Sequence, residues 1–140
     1  MSWKIPRASA TCLSADVAAA FDPNYPEVHE KQNAAYLNHG IALCKFTGSR
    51  GKYDSNDATA EMIGKLRNLF DSANVFWQMC ELGKVDQGGG GTVAMYMSKR
   101  NIETIDAGVP VLGMHSPFEV IAKNDVYMAY LAMSEFYKKY

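Results

Sequence analysis

The run Ile105-Asp-Ala-Gly-Val-Pro-Val-Leu-Gly-Met-His-Ser-Pro-Phe-Glu-Val120 constrains the fold more than any other stretch. Ile105, Val109, Val111 and Leu112 are apolar and mostly β-branched, which suits a strand covered on both faces. Gly113 frees the backbone just ahead of Met114-His115, and Ser116-Pro117 forbids a simple continuation. The chain is therefore expected to leave a buried strand in a loop that presents the His115 imidazole. In open α/β sheets ligands bind at such carboxyl ends. A histidine there is either a ligand or a loop residue bonded to backbone, and the residues alone leave both readings open.

The other segments arrange themselves around this strand. Cys12 to Val17 reads as a short strand ending in Asp16, followed by the two-proline loop Asp22-Pro-Asn-Tyr-Pro26. Ile41 to Phe46 reads as a strand with mixed faces, and residues 47–53 as a glycine-punctuated loop. Ser55-Asn-Asp57 resembles a helix cap, with Met62, Ile63, Leu66, Leu69, Phe70 and Ala73 at helical spacing beyond it. Val75 to Cys80 is the next expected strand. Gly88 to Thr92 opens a helix over 92–100, and Asn124-Asp125 caps a last one. Val126, Tyr127, Tyr130, Leu131, Ser134 and Tyr137 are expected to form that last helix's inner face. Alternating strands and helices predict a three-layer α/β sandwich with a mostly parallel sheet and helices near 57–73, 91–100 and 125–138. Residues 1–11 are expected to be frayed or truncated, and residues 12–140 to form one domain.

Composition excludes several function classes. The formal net charge is −1, which gives no basic footprint for nucleic acid. No apolar run approaches the ~20 residues that span a bilayer, and the first residues lack an apolar signal core. Cys12, Cys44 and Cys80 are scattered, odd in number and set in apolar stretches, as reduced core thiols of a cytosolic protein would be.

Four features point to chemistry. Asp16, at a strand end, needs a partner, because a buried unpaired carboxylate is expensive; it is either a structural hydrogen-bonding Asp or a metal ligand. His115 is the second, and both residue types suit zinc, although two ligands do not make a site. The third is Val85-Asp-Gln-Gly-Gly-Gly-Gly-Thr92, which either binds an anion through its amides or packs closely as a tight turn. It lacks the lysine of a phosphate loop and the dinucleotide fingerprint. The fourth is the cationic loop carrying Arg50 and Lys52. His29 and His39 read as surface histidines.

Taken in order, Leu13-Ser-Ala-Asp-Val17, Asp22-Pro-Asn-Tyr-Pro-Glu-Val-His-Glu-Lys-Gln-Asn33, Thr47-Gly-Ser-Arg-Gly-Lys-Tyr53, Ser55-Asn-Asp57, Gly83-Lys-Val-Asp-Gln-Gly-Gly-Gly-Gly-Thr92 and Met114-His-Ser-Pro-Phe-Glu119 are distinctive. Together they resemble the C-terminal third of the aminopeptidase I / aspartyl aminopeptidase family of dinuclear zinc exopeptidases, from Cys12 to Tyr140. The resemblance implies an α/β catalytic domain to which this stretch contributes a C-terminal part. It implies that Asp16 ligates one zinc and His115 the other, with cobalt or manganese as alternatives. The two should then approach each other near the Gly88–Gly91 turn. Asp22, Lys52, Tyr53, Gly89, Gly90 and Met114 become candidate substrate contacts.

Two departures matter. Family members are about three times longer, and their remaining ligands and general-base Glu belong to an upstream segment without an equivalent here, so no catalytic residue is expected in this stretch. In the aspartyl branch a histidine usually opens the Pro-Asn-Tyr loop, where Asp22 stands, so the bacterial aminopeptidase I branch is the better match. The expectation is a cytoplasmic, oligomeric metalloaminopeptidase acting on peptides, inactive as this segment alone and dependent on the upstream segment. Its alternatives are a non-catalytic α/β module or subunit needing a complementary chain, and an anion-binding module built on the glycine turn.

Overall fold

The computed structural model describes residues 10–50 and 53–139. The segment expected to be frayed, 1–11, lies outside the described residues except at its last two positions. In chain order the elements are strands Thr11–Ser14 (β1), Ala18–Ala19 (β2), Ile41–Cys44 (β3), Phe46–Ser49 (β4) and Tyr53–Asp57 (β5), then helix Ala60–Ser72 (α1). Strand Trp77–Cys80 (β6), helix Ala94–Ser98 (α2), strands Glu103–Gly108 (β7), Pro110–Leu112 (β8) and Val120–Ile121 (β9), and helix Lys123–Lys139 (α3) complete them.

The architecture is mixed α/β built on small mixed sheets. The central sheet has the order β1-β7-β3-β6. β1 runs parallel to β7 and β3 parallel to β6, but β7 and β3 are antiparallel. A second sheet, β2-β8-β9, pairs β2 parallel and β9 antiparallel to β8, and β4 and β5 form a separate antiparallel pair. The expected mostly parallel sheet is thus divided. Residue pattern reveals that a strand exists but not which way its neighbour runs, and the connection from β6 returns β7 to the far side of β3.

Alternation along the strands sorts the core. Ile41 and Leu43 of β3 and Ile105 and Ala107 of β7 pack with Met62, Leu66, Leu69 and Phe70 of α1 and with Ala132 and Phe136 of α3. Fully burying side chains such as Leu66 and Phe70 contributes about 2 kcal/mol each. Ala42, Cys44 and Cys80 lie in a separate cluster with Ala18 and Ala35. Thr92, just ahead of α2, reaches Asp106, which alternates with Ile105 and Ala107 and so belongs to the face away from α1.

Several local expectations are corrected. Ser55-Asn-Asp57 does not cap α1: these residues belong to β5, paired with β4, so Thr47, Gly48, Ser49 and Tyr53 of the expected loop lie in strands. The cap is Thr59, whose hydroxyl accepts from the Met62 N–H at 3.2 Å. The helix expected over 92–100 is confined to 94–98. On α3 the inner face is Asp125, Ala132 and Phe136, with Met128, Ala129, Leu131 and Met133 packed beside them, while Tyr127, Tyr130 and Tyr137 are 56%, 65% and 83% exposed. Asp125 is fully buried, and its two carboxylate oxygens accept the N–H groups of Asn38 and Gly40 at 2.8 Å each. It fastens a loop to the helix start rather than capping the helix. No helix among the described residues is long and apolar enough to cross a membrane.

Candidate metal centre

The backbone brings the two expected metal ligands to strand ends by different routes. β1 and β2 run beside β7 and β8 as two successive parallel ladders. Asp16 sits where the first chain bends between β1 and β2. The bend is tight against its neighbour: a Cβ at Gly108 would lie 1.2 Å from the Asp16 carbonyl oxygen, so only glycine permits this approach. Asp16 is half-buried, and its carboxylate accepts the Val17 N–H at 2.9 Å. The partner it needs is thus partly supplied by its own loop.

His115 lies in the turn between β8 and β9, exposed, with φ at +68°. That conformation is uncommon for a side chain bearing a Cβ. Glu119 holds it, its carboxylate accepting the His115 backbone N–H at 2.7 Å, and Ser116 accepts the Phe118 N–H at 3.1 Å. The His115 ring itself makes no hydrogen bond among the described residues. Asp16 and His115 therefore follow the carboxyl ends of strands in two different sheets, β1 and β8. No hydrogen bond or ion pair joins them.

The donor chemistry of both residues suits zinc: a carboxylate with an oxygen to spare and an imidazole with its ring unengaged. Among the described residues no group of three or more His, Cys, Asp or Glu side chains is gathered to hold an ion. Their chemistry suits a metal, but the described residues do not form a complete site.

The glycine turn packs rather than gapes. Gln87 and Gly88 both donate to the Lys84 carbonyl, at 3.2 and 2.7 Å, and the Gly88 carbonyl accepts the Arg50 N–H at 3.1 Å. Gly89, at φ +97°, lies so close to β4 that a Cβ would meet the Gly48 oxygen at 2.1 Å. Two of the turn's amides are thus spent internally, which supports close packing over anion binding. A cavity of about 90 Å³ lies beside it, lined among others by Thr47, Glu81, Lys84, Asp86 and Gly89.

The remaining expected contacts are scattered around these elements. The Asp22 carboxylate accepts the Asn24 N–H at 2.8 Å and shapes its own loop, Tyr53 is exposed at the start of β5, and Gly90 and Met114 are half-buried. Lys52 lies outside the described residues. His29 is not a simple surface histidine: half-buried, it accepts the Asp22 N–H at 3.2 Å and packs its ring against Phe21. His39 is exposed, as expected.

Two acidic residues escaped the sequence reading. Asp106 is 3% exposed; one oxygen accepts the Thr92 hydroxyl at 2.6 Å and the other has no partner. Its signal was an Asp between Ile105 and Ala107, at a position where alternation turns it away from the apolar face. Glu81 is half-buried, and burial is the main cause that raises its carboxyl above the usual range, with Asp57 adding and Lys45 opposing.

Mixed α/β sheets with an aspartate and a histidine just past strand ends are compatible with a metalloenzyme domain, and comparison with known proteins gives the class. The chain belongs to the family described as Aminopeptidase I zinc metalloprotease (M18), which matches residues 3–137. It is 55% identical over 115 residues to a probable M18 family aminopeptidase 1 of the bacterium Clostridium acetobutylicum, spanning 82% of this chain and 25% of that protein. The crystal structure of aminopeptidase I from Clostridium acetobutylicum superposes with a TM-score of 0.87 at 50% identity, covering 92% of this chain and 28% of that one. A structure of the S. cerevisiae mApe1 dodecamer matches at 25% identity and a TM-score of 0.72, over 95% of this chain and 28% of that one. The chain thus spans little more than a quarter of the length of the proteins it matches.

Proposed function

We propose that this chain is the C-terminal catalytic segment of a zinc aminopeptidase that releases N-terminal residues from peptides, with Asp16 and His115 each supplying one terminal ligand to one ion of a zinc pair. The observation that carries this reading is the state of the two side chains: each follows a strand's carboxyl end with donor atoms left free, in a chain of the zinc metalloprotease family. When bound, zinc supplies Lewis acidity that polarises a carbonyl and acidifies water. This chain's own residues hold and orient. Glu119 and Gly108 fix the backbones of His115 and Asp16, and the packed Gly88–Thr92 turn, with Gly89 and Gly90, shapes the substrate side together with Asp22, Lys52, Tyr53 and Met114. The other ligands and the general base come from residues outside these 140. Assembly into a homo-oligomer and a cytoplasmic setting complete the proposal.

The test is a chimera in which these residues replace the matching part of the Clostridium acetobutylicum relative. It is expected to hydrolyse aminoacyl anilides with zinc. Asp16→Ala and His115→Ala should each lower kcat/KM by more than the ~100-fold that loss of an outer-shell partner costs. Full activity in either variant would remove that residue from the ligand set. Because the described residues gather no three-membered ligand group, a second reading, a non-catalytic module or subunit needing a complementary chain, keeps a place. A folded chimera that binds no zinc and turns over nothing would select it.

A further inference from the structure

Cys44 and Cys80 close β3 and β6 on the same face of the central sheet. They are direct register partners in parallel strands, both 3% exposed, and share one buried cluster with Ala18, Ala35 and Ala42. Their sulfurs are 2.6 Å apart. Neighbouring strands lie ~4.8 Å apart, inside the ~4.4–6.8 Å Cα separation that a disulfide needs. The Cα range is therefore met by strand pairing itself, and the sulfurs already face each other. Cys12 is on β1, which the order β1-β7-β3-β6 places away from β3 by an intervening strand. The cavity beside the glycine turn is lined by Phe46, Glu81 and Leu82, close in sequence to the pair, although neither cysteine lines it.

We propose that Cys44 and Cys80 form a modification site, a thiol pair that a small hydroperoxide converts to a disulfide bridging β3 and β6. One thiol loses its proton and its sulfur attacks the peroxide O–O bond, giving a sulfenic acid and one water. The neighbouring sulfur then attacks that sulfur, the S–O bond breaks, and the oxygen leaves as water with the second thiol's proton. Two thiols and one hydrogen peroxide give one disulfide and two waters; each sulfur gives up one electron and the peroxide takes both. The hydrogen bond to Cys80, with burial behind it, holds the Cys44 thiol well above the usual thiol range. The Cys44 thiol is therefore protonated near neutrality, and its thiolate, the attacking form, grows as pH rises. The bond staples β6, an edge strand, and with it the start of the segment that leads to the glycine turn.

The experiment treats the purified protein with hydrogen peroxide until the exposed Met79 is oxidised, then denatures and alkylates it without reductant and maps the peptides. The expected result is one alkylated cysteine, Cys12, where untreated protein gives three, together with a linked Cys44–Cys80 peptide pair that dithiothreitol separates. Cys12→Ser should leave the link intact, which keeps the test independent of whether the core cysteines tolerate substitution. Three alkylated cysteines after Met79 oxidation, sulfinic acid at Cys44 or Cys80 without a link, or a link through Cys12 would overturn the proposal.

Discussion

Glu81 shows at a single residue how the fold sets the chemistry near the glycine turn. Burial beside the cavity raises its carboxyl above the ordinary range, so the folded chain holds this proton more tightly than the unfolded chain does. Stability tied to that proton is present in full at low pH and is lost as pH rises from the ordinary carboxylate range through the raised value. In a urea series across that window, this contribution should lower the midpoint as pH rises, and Glu81→Gln should flatten that part of the curve. An unchanged slope in the variant would mean that Glu81 is as well solvated folded as unfolded. His115 illustrates a different single-residue device: its positive φ is held by Glu119, four residues on, so ring placement depends on a carboxylate that touches only backbone.

Among the elements, α1 and α3 separate what periodicity reveals from what pairing decides. The stripe Met62, Leu66, Leu69 and Phe70 was legible because helical spacing and burial coincide. Its start was not, because Ser55-Asn-Asp57 carries cap chemistry while β4 claims it as a strand partner. Thr59→Ala should cost about 1 kcal/mol in an unfolding titration, and Ser55→Ala should stay within about 0.5 kcal/mol; the reverse order would return the cap to the earlier residues. On α3 two stripes share helical spacing. The one bearing tyrosines looked more apolar, but the buried one begins with Asp125, whose carboxylate is satisfied by the Asn38 and Gly40 amides. A buried acid hides a core face from any reading that weighs hydrophobicity alone. The proposed ligands Asp16 and His115 were nameable from their motifs, whereas Asp106 meets Thr92 through a contact that only the fold brings together.

As a whole molecule, the described chain leaves much apolar surface in contact with solvent: Phe76, Phe118, Val120, Ile121 and the α3 tyrosines are all exposed. β6 and β1 are the edges of the central sheet, and unpaired edges are templates for association. Expressed alone, these residues should self-associate or bind a hydrophobic dye. A dilute monomer by light scattering that binds none would show that this surface needs no cover. The same reasoning applies to catalysis. A catalytic zinc takes three protein ligands and a water, and a general base typically contributes ~10²–10⁴-fold; the proposal gives each ion one ligand from this chain and places the base elsewhere.

The measurement that tests this most directly is an aminoacyl-anilide assay of the 140-residue chain alone, with added zinc or cobalt and with Asp16→Ala as control. The account predicts no metal-dependent turnover by either protein. Metal-dependent turnover that disappears in Asp16→Ala would show that a complete site exists within these residues, and would contradict it.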